Sequence, residues 1–219
     1  MRTRSDFTRR LKDLADQVGR LGVLAAEDVR ATAHVLAGER EVSDAVEASR
    51  HDAASLQKAI ESSCMELMLL QQPVAGDLRL VTGSFRLVSD LVRIDEMCRD
   101  LDVLVDEIPH DAVDGLGDVL QRMSDKAATM VEMAVDAFLT SDTDEAAQVF
   151  SADDEVDALY ARAESTVVEL IKAGGLHARS LPELLMVAKY YERMADHAQR
   201  VADWAVFRDA GEHAGVEID

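Results

Sequence analysis

The sequence predicts an all-α fold, arranged as a tandem repeat of two antiparallel three-helix bundles. Three observations lead there. Ala, Leu, Glu, Asp and Arg are plentiful and aromatic residues are few. The only three prolines, Pro73, Pro109 and Pro182, stand where other signals also break helices. The apolar pattern divides into three long amphipathic segments, a linker, and three more.

The segments follow in order. The first helix spans about 5–37 and stops at Gly38. The second spans about 41–70 and ends before Gln71-Gln72-Pro73, because the residue preceding a proline is pushed out of helical geometry. The third spans about 76–107 and ends before Pro109. Pro109-His110-Asp111-Ala112-Val113-Asp114-Gly115 reads as the linker. The fourth helix spans about 116–140. The fifth spans about 143–173, with Asp142 and Glu145 spaced for a capping-box-like start and Gly174-Gly175 as its stop. The sixth spans about 181–208, with Ser180 and Glu183 at capping-box spacing and Pro182 in the first turn. The domains are therefore a first repeat over 1–108, a second over 114–209, and an acidic, frayed tail over 210–219.

The repeat is visible in two aligned blocks. Val46 to Leu56 matches Val149 to Leu159, and Leu91 to Met97 matches Tyr191 to His197. Both pairs occur in the same helix order at nearly the same offset, so three-helix units that bury their amphipathic faces account for both halves.

Charge narrows the function classes. The chain carries 43 acidic and 23 basic residues, a formal charge of −20. This excludes a nucleic-acid binder, which needs clustered Lys and Arg, and favours cations or basic partners. Cys64 and Cys98 lie inside apolar helical patterns and read as core thiols. No signal-peptide pattern follows Met1, and no apolar run approaches the ~18 residues of a membrane span, so a cytoplasmic protein without membrane insertion is expected.

The residues that could carry chemistry are acids at helical spacing. Asp153 and Asp157 are four residues apart in the fifth helix, and Glu192 and Asp196 are four apart in the sixth, so each pair shares a helix face. The two aspartates fall beside an apolar sector of Val149, Tyr160, Val167 and Ile171, with Glu164 in the same sector. Glu192, Asp196 and Asp203 form a column on the shoulder of the stripe made by Leu184, Val187, Ala188, Tyr191, Met194, Ala195, Ala198, Ala202 and Ala205. If the helices pack side by side, four carboxylates converge and require a positive charge. Either a hard cation meets that need through all-oxygen ligands, or Lys189, Arg193 and Arg200 do so as ion pairs. His197 points away from the column and reads as a surface histidine. A ferritin-like di-metal oxidase would need Glu-x-x-His on two helices of one bundle, and no helix here has that spacing.

Two stretches carry a family resemblance. Glu61 to Cys64, followed by Leu69-Leu70-Gln71-Gln72-Pro73-Val74-Ala75-Gly76-Asp77-Leu78-Arg79, closely resembles the hairpin between the second and third helices of the PhoU family. Tyr191-Glu192-Arg193-Met194-Ala195-Asp196-His197-Ala198 resembles that family's second-repeat signature, in a wording most like actinobacterial members. The resemblance implies a cytoplasmic, dimeric, non-enzymatic negative regulator of phosphate uptake and of the phosphate-starvation response. Its implied partners are the ATPase of the phosphate ABC transporter and a phosphate-sensing histidine kinase. It further implies a metal, Fe or Zn in the family, with Mn or Mg also suited to the oxygen donors, held in the second repeat by Asp153, Asp157, Glu192 and Asp196. In the first repeat the matching positions are Arg50, Ala54, Val92 and Glu96, so a single acid remains there. In that repeat either an Arg50–Glu96 pair replaces the metal or Arg50 simply faces solvent. A metal-free helical adaptor and a carboxylate-bridged metal enzyme are the alternatives.

Overall fold

The computed structural model describes residues 4–39, 41–105, 108–109, 112–113, 115–174 and 180–215, with the side chains of 41–48 and 50 outside that description. Six helices follow in order: α1 (Arg4–Leu36), α2 (Glu41–Gln71), α3 (Ala75–Val105), α4 (Gly117–Thr140), α5 (Thr143–Ala173) and α6 (Leu181–Ala210). Each begins and ends within about two residues of its expected limits. Breakers account for this. Gly38 and Gly174 take φ of 96° and 68°, a left-handed turn that a glycine enters without a Cβ penalty.

Helices α1, α2 and α3 pack on one another pairwise, as do α4, α5 and α6. Contacts of α1 with α4 and of α3 with α6 join the halves, so one buried apolar cluster runs from Leu14 to Ala205. Glycines set the closeness of that join. A Cβ on Gly22 of α1 would stand 2.7 Å from Val135 of α4, and one on Gly83 of α3 would stand 2.6 Å from Phe138 of α4. Polar cross-links pin the same seam. The buried Tyr191 and Thr32 hydroxyls meet at 2.9 Å, and Ser124 Oγ donates to the Val29 carbonyl at 2.9 Å. Arg30 donates through both terminal nitrogens to Glu132, at 2.6 and 2.7 Å.

The two predicted helix caps differ in outcome. Asp142 has an extended backbone and accepts from the amides of Asp144 and Glu145, both at 3.0 Å. Ser180 makes no side-chain cap bond. Its backbone is right-handed helical (φ −93°, ψ −1°), not the extended geometry from which a hydroxyl reaches the first free amides. Pro182 sits in the first turn of α6 as expected.

The chain also differs from expectation beyond α6. Residues 211–215 of the expected tail fold back along the helix, and its remaining residues, 216–219, lie outside the described residues. His213 stacks on Phe207 at 5.0 Å between ring centroids, its Nδ1 lies 2.5 Å from Asp203 Oδ2, and the Ala214 amide donates to Asp203 Oδ1 at 2.7 Å. Arg79 of α3 closes the helix end by donating to the carbonyls of Arg208 (2.7 Å) and Asp209 (3.0 Å).

Candidate cation site in the second repeat

Packing of α5 on α6 sets the register of the four predicted acids. The stripe expected on α6 is buried in full, from Leu184 to Ala205, and Tyr191 is wholly enclosed. That burial places Glu192 at the wall of the core, 8% exposed. On α5 the buried stripe is Ala146, Val149, Val156, Leu159, Ala163 and Val167. It is rotated from the expected sector, leaving Ile171 half exposed and Glu164 at the surface. The rotation leaves Asp153 half-buried at the α5–α6 boundary and Asp157 exposed one turn further on.

The electrostatics show that the four carboxylates face a common region. Burial pushes the Asp153 carboxyl up to about 7, and the negative charges of Asp157, Asp196, Glu192 and Asp154 add to the shift. Burial likewise pushes Asp196 up to about 6. Glu192 and Asp157 raise it further, while Lys189 and Arg200 act in the opposite direction.

A lysine of α6 reaches into this field. Lys189 Nζ donates to Glu192 Oε1 at 2.5 Å and stands 5.2 Å from the centre of the Tyr160 ring on α5. Burial works against its charge, but the bond to Glu192 and the charges of Glu192 and Asp196 hold the ammonium above its usual value. The second Glu192 oxygen, Oε2, is buried with no hydrogen-bond partner. A buried carboxylate oxygen without a donor is costly, so the arrangement has an unfilled demand for positive charge. The donor set is all oxygen, as hard cations prefer. Among the described residues, no three His, Cys, Asp or Glu side chains stand close enough together to grip an ion as they are placed. Glu192 is instead turned to Lys189.

His197 departs from its expected surface position. Its side chain is 13% exposed and its Nδ1 lies 2.9 Å from Asp90 Oδ1 on α3. A count around α6 alone sees one buried face, whereas α3 of the other repeat packs on a second.

The first repeat is built differently. The side chain of Arg50, and with it the expected Arg50–Glu96 pair, lies outside the described residues. Glu96 is about half exposed and accepts from Arg93 Nη1 at 2.9 Å. Among the described residues, this repeat buries two acids that lie off the motif positions. Asp28 of α1 and Asp95 of α3, 5% and 2% exposed, lie close enough for the Asp95 charge to act on Asp28. Ser49 Oγ donates to Asp28 Oδ2 at 2.6 Å, and Arg99 Nη1 donates to Asp95 Oδ2 at 2.5 Å. Burial drives Asp28 up to about 7 despite the Ser49 bond, and the Asp95 charge adds to the shift. Asp95 Oδ1 is buried without a hydrogen-bond partner. The signal was present in the sequence, since Ala25, Asp28, Val29 and Thr32 share one helical face. The thiols of Cys64 and Cys98 are buried as expected. Burial pushes Cys64 up to about 12 and Cys98 well above its ordinary value, so neither is a ready nucleophile.

Comparison with known proteins agrees with this architecture. The family described as PhoU domain matches twice, over residues 18–101 and 120–205, one match in each repeat. A phosphate-specific transport system accessory protein PhoU homolog of Clostridium acetobutylicum is 26% identical over 98% of this chain and 99% of its own. The protein of the same description from Synechocystis is 31% identical over 91% of this chain and 89% of its own. The crystal structure of the phosphate transport system regulatory protein PhoU from Streptococcus pneumoniae superposes with a TM-score of 0.86 at 22% identity. It covers 96% of this chain and 100% of that one, and carries the fold alone. With both repeats matched and relatives aligned along nearly its whole length, the chain belongs to the PhoU family.

Proposed function

We propose that this protein is the accessory regulator of a phosphate-specific transport system, restraining phosphate uptake and the phosphate-starvation response when phosphate is ample. The observation that carries this reading is full-length similarity to relatives named as accessory proteins of such a system, with a PhoU domain in each repeat. It acts by binding and not by catalysis. Its partners are the transporter's ATPase and a phosphate-sensing histidine kinase, which it meets in the cytoplasm as a homodimer. No described helix is long and apolar enough to cross a membrane. An affinity pull-down of the tagged protein from cells grown at high and low phosphate tests the partnership. Phosphate-dependent recovery of a transporter ATPase or a histidine kinase is the expected result, and recovery of neither under both conditions would refute it.

Within this role, Asp153, Asp157, Glu192 and Asp196 are the residues that would hold Fe, Zn, Mn or Mg. The buried, unpartnered Glu192 Oε2 and the all-oxygen donor set support that assignment. A bound cation would neutralise the carboxylates and tie α5 to α6. The Lys189–Glu192 contact favours a second reading, a metal-free helical adaptor, because a lysine already supplies positive charge at the site.

A further inference from the structure

We infer that Lys189 is a built-in counter-ion of the second-repeat acids, so that the site has two alternative occupants, the lysine ammonium or a divalent cation. This rests on the reading that Asp153, Asp157, Glu192 and Asp196 form a cation site.

The placement of the lysine argues for it. Lys189 and Glu192 are three residues apart, on one face of α6, so the ammonium reaches Glu192 Oε1 without distorting the helix. The same ammonium lies toward Tyr160 across the α5–α6 groove, where the negative ring face attracts it. It therefore spans the two helices that carry the acids, as a shared cation would. Its charge does not complete the site. Glu192 Oε2 remains buried with no donor while Lys189 holds Oε1. A lysine donates from a single point, whereas a divalent ion accepts several oxygens at once and brings twice the charge. The lysine can also leave. Its side chain is 42% exposed on a flexible stem, so the head group can move into water while the stem still covers the apolar wall.

The two occupants exclude each other because both sit against the Glu192 carboxylate, where an ammonium and a divalent ion repel. With the lysine in, Glu192 Oε1 is bonded to its ammonium, and no described trio of acids is gathered tightly enough for an ion. With the lysine out, Glu192 is free to turn toward Asp153, Asp157 and Asp196. The expense of displacing the ammonium sets the affinity, so the site responds to the supply of a cation instead of holding one permanently.

The test is titration of Mn2+ into the full-length wild-type protein and the Lys189→Met and Lys189→Gln variants, with free Mn2+ read by electron paramagnetic resonance and folding checked by circular dichroism. Both variants should bind Mn2+ roughly tenfold or more tightly than wild type, the effect of removing one competing positive charge at close range. Adding Asp157→Asn should remove the gain. Binding by the variants and none by wild type also supports the inference. If wild type binds and both folded variants bind no more tightly, the lysine is not a competitor and the inference fails while the cation site stands. If none of the three binds, or if the gain survives Asp157→Asn, the site itself is misassigned and the inference falls with it.

Discussion

Replacing Asp28 by Asn should remove a large, directional part of the protein's pH dependence. The Asp28 carboxyl is raised from 3.8 to about 7 because burial, and then the neighbouring Asp95, disfavour its charge. The folded state therefore holds this proton more tightly than the unfolded chain does. The contribution is fully present below about pH 4, is lost as pH rises, and is gone above about 7. A rise of roughly three pH units at ~1.4 kcal/mol each amounts to about 4 kcal/mol. Asn carries no charge to bury, can keep accepting from Ser49, and has an amide that can donate to Asp95. Urea unfolding followed by circular dichroism between pH 4.5 and 8 measures the difference between the proteins. Asp153 and Asp196 are raised in the same direction, but they lie in the other repeat and titrate in both proteins, so the difference reports on Asp28 together with its neighbour Asp95. The variant should gain on wild type by on the order of 3–4 kcal/mol across this range. Curves that stay parallel within about 0.5 kcal/mol would refute the buried, proton-holding pair.

Three further outcomes are expected. Gly83→Ala drives a methyl into the Phe138 ring at the join between repeats and should cost about 1–3 kcal/mol in the same unfolding assay. Asp142→Ala removes the bonds to the Asp144 and Glu145 amides and should cost roughly 1 kcal/mol, while Ser180→Ala, which breaks no cap bond, should cost little. Asp157→Ala combined with Asp196→Ala should abolish metal uptake, measured by elemental analysis after equilibration with Mn2+, with helical content unchanged.

The helices were legible because their ends are local events. Pro73, Gly38, Gly174 and the Asp142 cap act within a few residues of themselves, and the α6 stripe follows from its own period. What escaped the sequence depends on which helices meet. The apolar face carrying Asp28 was legible, but its neighbours Asp95 and Arg99 reach it only because α1 lies against α3. His197 became half of a contact with Asp90 because α6 is packed on two sides. The stripe of α5 was misjudged at Ile171 because α4 and α6 share that helix, and its buried arc is set by both. Spacing alone placed Asp153, Asp157, Glu192 and Asp196 on facing helices. It did not show that Glu192 would be turned to Lys189, a matter of rotamer and of the Tyr160 ring across the groove.

The regulatory role is tested most directly by phosphate uptake. A strain lacking the gene, with no paralogue to compensate, is grown in phosphate-rich medium and its uptake of labelled phosphate is compared with that of the parent. Restraint by this protein predicts raised uptake in the deletion strain, returned to the parental rate by the wild-type gene. Equal uptake in both strains, with phosphate-scavenging genes equally silent, would contradict it.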